Sequence, residues 1–228
     1  MPEIKMPLDI VNKYPELGNE CHVGVAWFDD NKDFIYFLRY MAYKTRDYIE
    51  DSNDLKFLDH YDESPSNYSI YIKQDGQIAA SMRICYYNKD TGNPYYIPSF
   101  QSHPDETRCF RNVTFYEGNR FVVYPGLERY KRAYPMILMR YAMAAIPVLG
   151  CEYALAAPRR QHIPFYSRYF KMELVANERS YPGIRFPTVL LAAHKSKYDI
   201  VCNNNPVLRV ADDDLTSLFG GIKNVIGC

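Results

Sequence analysis

The chain is 228 residues long, with 27 Lys+Arg against 27 Asp+Glu and hence no formal net charge, which argues against a broad electrostatic nucleic-acid binder. At 47% hydrophobic and 24% charged its composition is that of a globular protein and excludes a disordered or collagen-like chain. A chain of this size buries about 70% of its unfolded surface, so a single domain over 1–228 needs no disulfide or metal staple.

The opening, Met1-Pro2-Glu3-Ile4-Lys5, carries charge and proline where a signal peptide needs an unbroken apolar run. Residues 1–24 are turn-rich and read as an N-terminal arm. Phe34 to Glu50 has apolar residues at helical spacing. Tyr68 to Lys73 and Ile78 to Tyr87 read as strands joined by a tight turn at Gln74-Asp75-Gly76-Gln77. The Pro-, Gly- and Asp-rich stretch 88–110 is a long loop, and long ordered loops are often functional. Arg111 to Tyr124 reads as a strand with a bulge or kink at Gly118. A helix over Pro135 to Leu149, a strand over Tyr153 to Ala157, a helix over Pro164 to Phe170 and a strand over Thr188 to Ala193 follow, and 195–228 forms a C-terminal extension whose Asp212-Asp213-Asp214 begins a last helix. This order predicts an α+β fold, a mixed α/β sheet flanked by helices.

The longest apolar stretch, Ile137 to Gly150, is interrupted by Arg140 and Pro147, so no membrane span is expected. Cys21, Cys85, Cys109, Cys151, Cys202 and Cys228 include no C-x-x-C pair, which suits free thiols in a cytoplasmic protein. The five histidines have no metal spacing, and no metal is expected.

The element order, with a Phe165-Tyr166-Ser167-Arg168-Tyr169-Phe170 helix after the Tyr153 strand, resembles the GCN5-related N-acyltransferase fold, a central twisted sheet flanked by helices. The Gly-rich pyrophosphate loop of that fold is replaced by Pro125 to Tyr134. Four pieces point to a subgroup lacking that loop. They are Leu38-Arg39-x-x-x-Tyr43-x-x-Arg46, Asp59-His60-Tyr61-Asp62, Met82-Arg83-Ile84 and Glu117-Gly118-Asn119-Arg120-Phe121-Val122-Val123. Together they resemble the long-chain N-acyl amino acid synthases and the acyl-homoserine-lactone (autoinducer) synthases. Two positions depart from the autoinducer synthases: Ile49 stands for their Trp and Phe57 for their Glu.

The resemblance implies an N-acyltransferase taking a fatty acyl thioester from acyl carrier protein and giving an N-acyl amino acid, with no bound cofactor. Glu117 is then the candidate base and Tyr166 the candidate acid for the departing thiol. Arg39 and Arg120 are candidates for the carboxylate of an amino-acid acceptor, because a guanidinium fork suits that group. Asp59, Asp62 and Arg83 are expected in a structural charged cluster. Arg129, Lys131, Arg132, Arg159 and Arg160, with Arg140 and Arg168 nearby in sequence, form a basic stretch suited to docking the acidic carrier protein. Two alternatives stay open: an autoinducer synthase using S-adenosylmethionine, and a non-catalytic relative binding acyl chains or carrier protein.

Overall fold

The computed structural model describes residues 1–90, 97–130, 132–181 and 183–220. Eight strands and six helices alternate along it. They are β1 (Glu3–Lys5), α1 (Leu8–Lys13), β2 (Cys21–Ala26), α2 (Asp33–Lys44), β3 (Asn67–Gln74), β4 (Gln77–Tyr87), β5 (Phe115–Val123), α3 (Ala133–Val148), β6 (Tyr153–Ala156), α4 (Ile163–Phe170), β7 (Glu173–Ser180), β8 (Pro187–His194), α5 (Tyr198–Asn204) and α6 (Asp212–Phe219). The strands form one sheet in the order β1-β2-β3-β4-β5-β6-β8-β7, in which only β5 and β6 are parallel neighbours.

The β3–β4 hairpin turns where the sequence places it, with Gln74 opposite Gln77 and both Asp75 and Gly76 at positive φ, the backbone of a tight two-residue turn. α2 ends at Lys44, short of the expected Glu50. The first 24 residues are not an arm. Val23 and Val25 of β2 point into the core, and β1 extends the sheet beyond β2. Gly24 between the valines makes this edge possible: a Cβ there would sit 2.4 Å from the Tyr71 ring, which crosses the strand to bond Glu3 through its hydroxyl at 2.7 Å. β7 was not expected either. Its residues, ELVANERS, are mostly exposed and polar, as befits a strand closing the opposite edge of a sheet.

The two faces of the sheet differ. α3 covers one with a wholly apolar core, where Tyr68, Ile70 and Ile72 of β3, Met82, Ile84 and Tyr86 of β4, and Tyr116 of β5 meet Ile137, Leu138, Tyr141 and Ala145. α2 covers β4 and β5 on the other face, where Ser69, Arg83, Cys85, Glu117 and Asn119 alternate with those apolar residues along the same strands. The described part of the C-terminal extension packs on the α3 side. Val201, Leu208, Leu218 and Phe219 join that core, and the Phe219 ring meets Tyr68 edge-on at 6.0 Å. It therefore lies across the sheet from the charged residues. Replacing Phe219 with Ala should cost about 3–5 kcal/mol in urea unfolding; an unchanged midpoint would mean the extension is not part of the core.

Candidate active site

β5 carries the site because its alternation is broken once. Ser81 and Val122 are paired across β4 and β5, and so are Arg83 and Asn119, leaving Met82 opposite both Arg120 and Phe121. The extra residue is a β-bulge, and Arg120 takes it up at φ +52, a left-handed conformation uncommon for a residue with a side chain. The kink thus falls two residues beyond the expected Gly118. Its consequence is geometric: Asn119 and Arg120, consecutive in sequence, both face α2, while Phe121 and Val123 turn to the α3 core.

The charged residues on that face form one connected network. Asp59 caps the short 3-10 turn His60–Glu63 in a reciprocal capping box with Asp62. Arg83 reaches Asp59 through Nη1 at 2.5 Å and Nη2 at 3.1 Å, and Asp62 at 2.9 Å. Arg120 Nη2 donates to the second Asp59 oxygen at 2.6 Å. Arg39, fully buried on α2, donates to Asp62 at 2.8 Å and to the Ser69 hydroxyl at 3.0 Å. Lys32 Nζ donates to the Asp62 carbonyl. Burial alone would raise both aspartates, but Arg83 and Arg120 hold Asp59 far below the usual carboxylate range, and Arg39 and Arg83 hold Asp62 below it. Arg39 thereby ties α2 to the sheet, so the structure gives it a holding position beside the aspartates.

Glu117 ends the network. It is fully buried and is reached through Asn119, which accepts from Arg83 Nε at 2.9 Å and donates to Glu117 at 3.3 Å. The Ser99 amide donates to its other oxygen at 3.4 Å. With these long hydrogen bonds and no ion pair among the described residues, burial wins and pushes its carboxyl above the ordinary value. The Cys85 thiol lies beside Asn119 at 3.6 Å, and burial pushes it up to about 12.

Parallel pairing of β5 with β6 ends at Gly118 and Ala156, after which β5 runs on to Val123. A small cleft with a free volume of only about 10 Å³ opens there, lined by Met82, Tyr116, Gly118, Met139, Ala142, Leu155, Ala156, Tyr166 and Met172. Gly118 keeps it open, since a Cβ would come within 2.9 Å of the Met82 methyl. Tyr166 stands on its wall, and burial pushes its hydroxyl up to about 12.

The basic residues do not form one surface cluster. Arg129 and Arg132 are exposed before α3, Arg129 over the Tyr130 ring at 4.5 Å, and Lys131 lies outside the described residues. Arg159 packs on the Tyr48 and Phe186 rings and donates to the Tyr48 hydroxyl at 2.6 Å, while Arg160 pairs with Glu178 at 3.2 Å. Arg140 is buried against Asp9 and the Val207 carbonyl and takes no part in a surface patch. Because β5 and β6 are parallel, the two remaining groups follow the C-terminal ends of these strands at the same end of the sheet.

Sequence reasoning missed Lys32, Ser99 and Tyr181. Phe57 and Tyr181 sandwich the Arg120 guanidinium at 4.5 and 4.6 Å. Tyr181 sits in a turn and Ser99 in the long loop; no local pattern marks either. Among the described residues, no helix is long and apolar enough to cross a membrane, and no group of three or more His, Cys, Asp or Glu is placed to hold a metal.

The family model of the N-acyl amino acid synthase FeeM matches residues 35–194. Three solved structures share the fold. FeeM, an N-acyl amino acid synthase from uncultured soil microbes, superposes with a TM-score of 0.62 at 12% identity, over 76% of this chain and 96% of that one. The acyl-homoserine-lactone synthase LasI gives 0.56 at 17%, over 88% and 95%. BjaI, a CoA-dependent acyl-homoserine lactone synthase solved with SAM and isopentyl-CoA, gives 0.59 at 11%, over 83% and 90%. No curated protein matches by sequence.

Removing one partner of a buried ion pair strands the other, at about 3–5 kcal/mol, so Asp62→Ala should lose that much stability at pH 7. Because the folded-state pKa values of Asp59 and Asp62 are lowered, their contribution is present above about pH 4 and lost as pH falls through the lowered values. Denaturation between pH 2 and 7 should therefore show a shallower acid loss in the variant; parallel profiles would remove Asp62 from the network.

Proposed function

The chain belongs to the family of the N-acyl amino acid synthase FeeM, and from that premise we propose that it moves a fatty acyl group from acyl carrier protein to the α-amino group of an amino acid. It is an acyltransferase of the amide-forming kind. The observation carrying the finer reading is Glu117, a fully buried carboxyl whose pKa burial raises, next in sequence to the glycine that borders the small apolar cleft where β5 and β6 part.

Amide formation from a thioester requires the acceptor amine to be neutral when it attacks. A carboxyl whose pKa burial has raised holds a proton better than an exposed one, which suits it to take the ammonium proton. The amine nitrogen then bonds to the thioester carbonyl carbon, the C–S bond breaks, and the thiolate leaves. The thiolate is a good leaving group without help, and Tyr166, on the cleft wall, is the hydroxyl we assign to hydrogen-bond the departing sulfur. Direct attack is favoured over an acyl-enzyme because the Cys85 thiol beside Asn119 is held protonated. The acyl chain would occupy the apolar gap under α3, between Met82, Met139, Ala142 and Met172. Arg129 and Arg132, with Lys131 and Arg159, are the residues to meet the acidic carrier and its pantetheine phosphate.

In place of the Glu and Trp of the autoinducer synthases, Phe57 packs on Arg120 and Ile49 is buried with Leu38 and Val122. Both favour an amino-acid acceptor over S-adenosylmethionine.

Mass spectrometry of lipid extracts from cells overexpressing the protein should show a new N-acyl amino acid, absent with Glu117→Gln. In the purified enzyme that substitution should lower kcat by about 10²–10⁴-fold. Stability should respond in the opposite sense. A raised folded pKa means that Glu117's contribution is present below its unfolded pKa and lost as pH rises through the folded one. Glu117→Gln should accordingly leave the protein as stable or more stable at pH 7. Unchanged turnover would sink the base assignment.

A further inference from the structure

A set of buried polar atoms near Glu117 has no hydrogen-bond partner among the described residues: Arg120 Nε and Nη1 and the Tyr181 hydroxyl, while the Ser99 hydroxyl bears on Glu117 itself. Arg120, Tyr181 and Ser99 are each more than nine-tenths buried, and native proteins pair such groups in the great majority of cases. Their arrangement is not diffuse. Tyr181, from the turn between β7 and β8, lies against the Arg120 guanidinium with Phe57 on its other face, so the guanidinium is held flat with Nη2 committed to Asp59. The Tyr181 phenol lies within electrostatic reach of Arg120, Arg83, Glu117 and Asp59. Ser99 is anchored to Glu117 through its own amide, which leaves its hydroxyl beside the same carboxylate.

The charges are also unequal. Arg39, Arg83 and Arg120 bring three cations to a cluster in which Asp59 and Asp62 are the anions, and burial biases both Glu117 and Lys32 toward their neutral forms. Such a cluster is short of negative charge, and its unpaired donors lie on the Arg120 side.

We infer that Arg120, Tyr181 and Ser99 form the acceptor-binding site and that it reads an α-carboxylate. The acceptor's carboxylate takes the unpaired Arg120 Nη1 and the Tyr181 hydroxyl, while its amine lies toward Glu117 and the Ser99 hydroxyl. A carboxylate supplies the missing charge and the missing acceptors together; a neutral amide or a simple amine supplies only part of this. The inference rests on the proposed function for its substrate, but it adds the prediction that amines without a carboxylate are rejected.

The test uses the purified full-length chain with an acyl carrier protein thioester. Proteinogenic amino acids are each compared with their α-carboxamide and their decarboxylated amine. For the best amino acid, kcat/KM should exceed that for its carboxamide at least tenfold. In Tyr181→Phe and Ser99→Ala that ratio should fall at least fivefold, mainly through KM, and in Tyr181→Phe without a drop in melting temperature, because that substitution removes a hydroxyl that is unpaired in the fold. Equal use of carboxamide and acid, or an unchanged ratio in both folded variants, would overturn the assignment. A second arm needs no turnover: the amino acid, and not its carboxamide, should raise the melting temperature of the wild-type protein, and less so in Tyr181→Phe. A selective shift with no amide formed would uphold the carboxylate site and overturn the proposed reaction. Amide formation with no acid selectivity would do the reverse.

Discussion

Three buried guanidiniums and the buried Asp62, with Asp59 partly exposed beside them, cost several kcal/mol per buried ion before any attraction is counted, and the positions of α2, the 59–63 turn and the middle of the sheet follow from meeting that cost. Arg39 comes from α2, Asp59 and Asp62 from the turn, Arg83 from β4 and Arg120 from β5. Asp59 accepts from two arginines and Asp62 from two, so no one of these elements can move without stranding charge on the others. The cluster is thus the tertiary constraint on the α2 face, where the apolar contacts of Leu38, Tyr43 and Val122 form a much smaller core than that beneath α3.

The sheet divides the labour of the reaction. Its α3 face is apolar and holds a gap where β5 and β6 part; its α2 face is polar and holds the charges. Glu117 belongs to the polar face, while Tyr116 and Gly118 on either side of it border the apolar gap. On the proposed function, an apolar acyl chain and a zwitterionic acceptor would approach the same few residues of one strand from environments that suit each. Neither has to be drawn through surroundings hostile to it.

Local chemistry made part of this legible in the sequence. Asp75-Gly76 specifies its turn, and the apolar runs of β3, β4 and α3 specify buried elements. β1 and β2 were hidden because Pro2, Pro7 and Pro15 punctuate short segments, and the inner partner of β2, the strand β3, begins more than forty residues later. β7 was hidden because an edge strand need not be apolar. The charged cluster was visible only as a resemblance, since its pairs span 21 to 61 residues: no spacing rule links Asp59 to Arg120 or Asp62 to Arg83. Ser99 and Tyr181 owe their place to tertiary packing alone. The glycine at 118 suggested a kink in the right strand but marks the cavity instead; the backbone irregularity is carried by an arginine.

That irregularity restricts how the enzyme can change. Position 120 must supply a cation to Asp59 and at the same time accept a left-handed backbone, a conformation that β-branched residues resist and that glycine, asparagine and aspartate tolerate. The residues that would relax the backbone discard the charge, and those that keep a charge retain the strain. If Ser99 and Tyr181 bind the acceptor as inferred, a lineage moving to acceptors of another kind would find substitutions there, where the backbone makes no such demand, more accessible than any at Arg120. The bulge divides the pocket into a fixed part and an evolvable one.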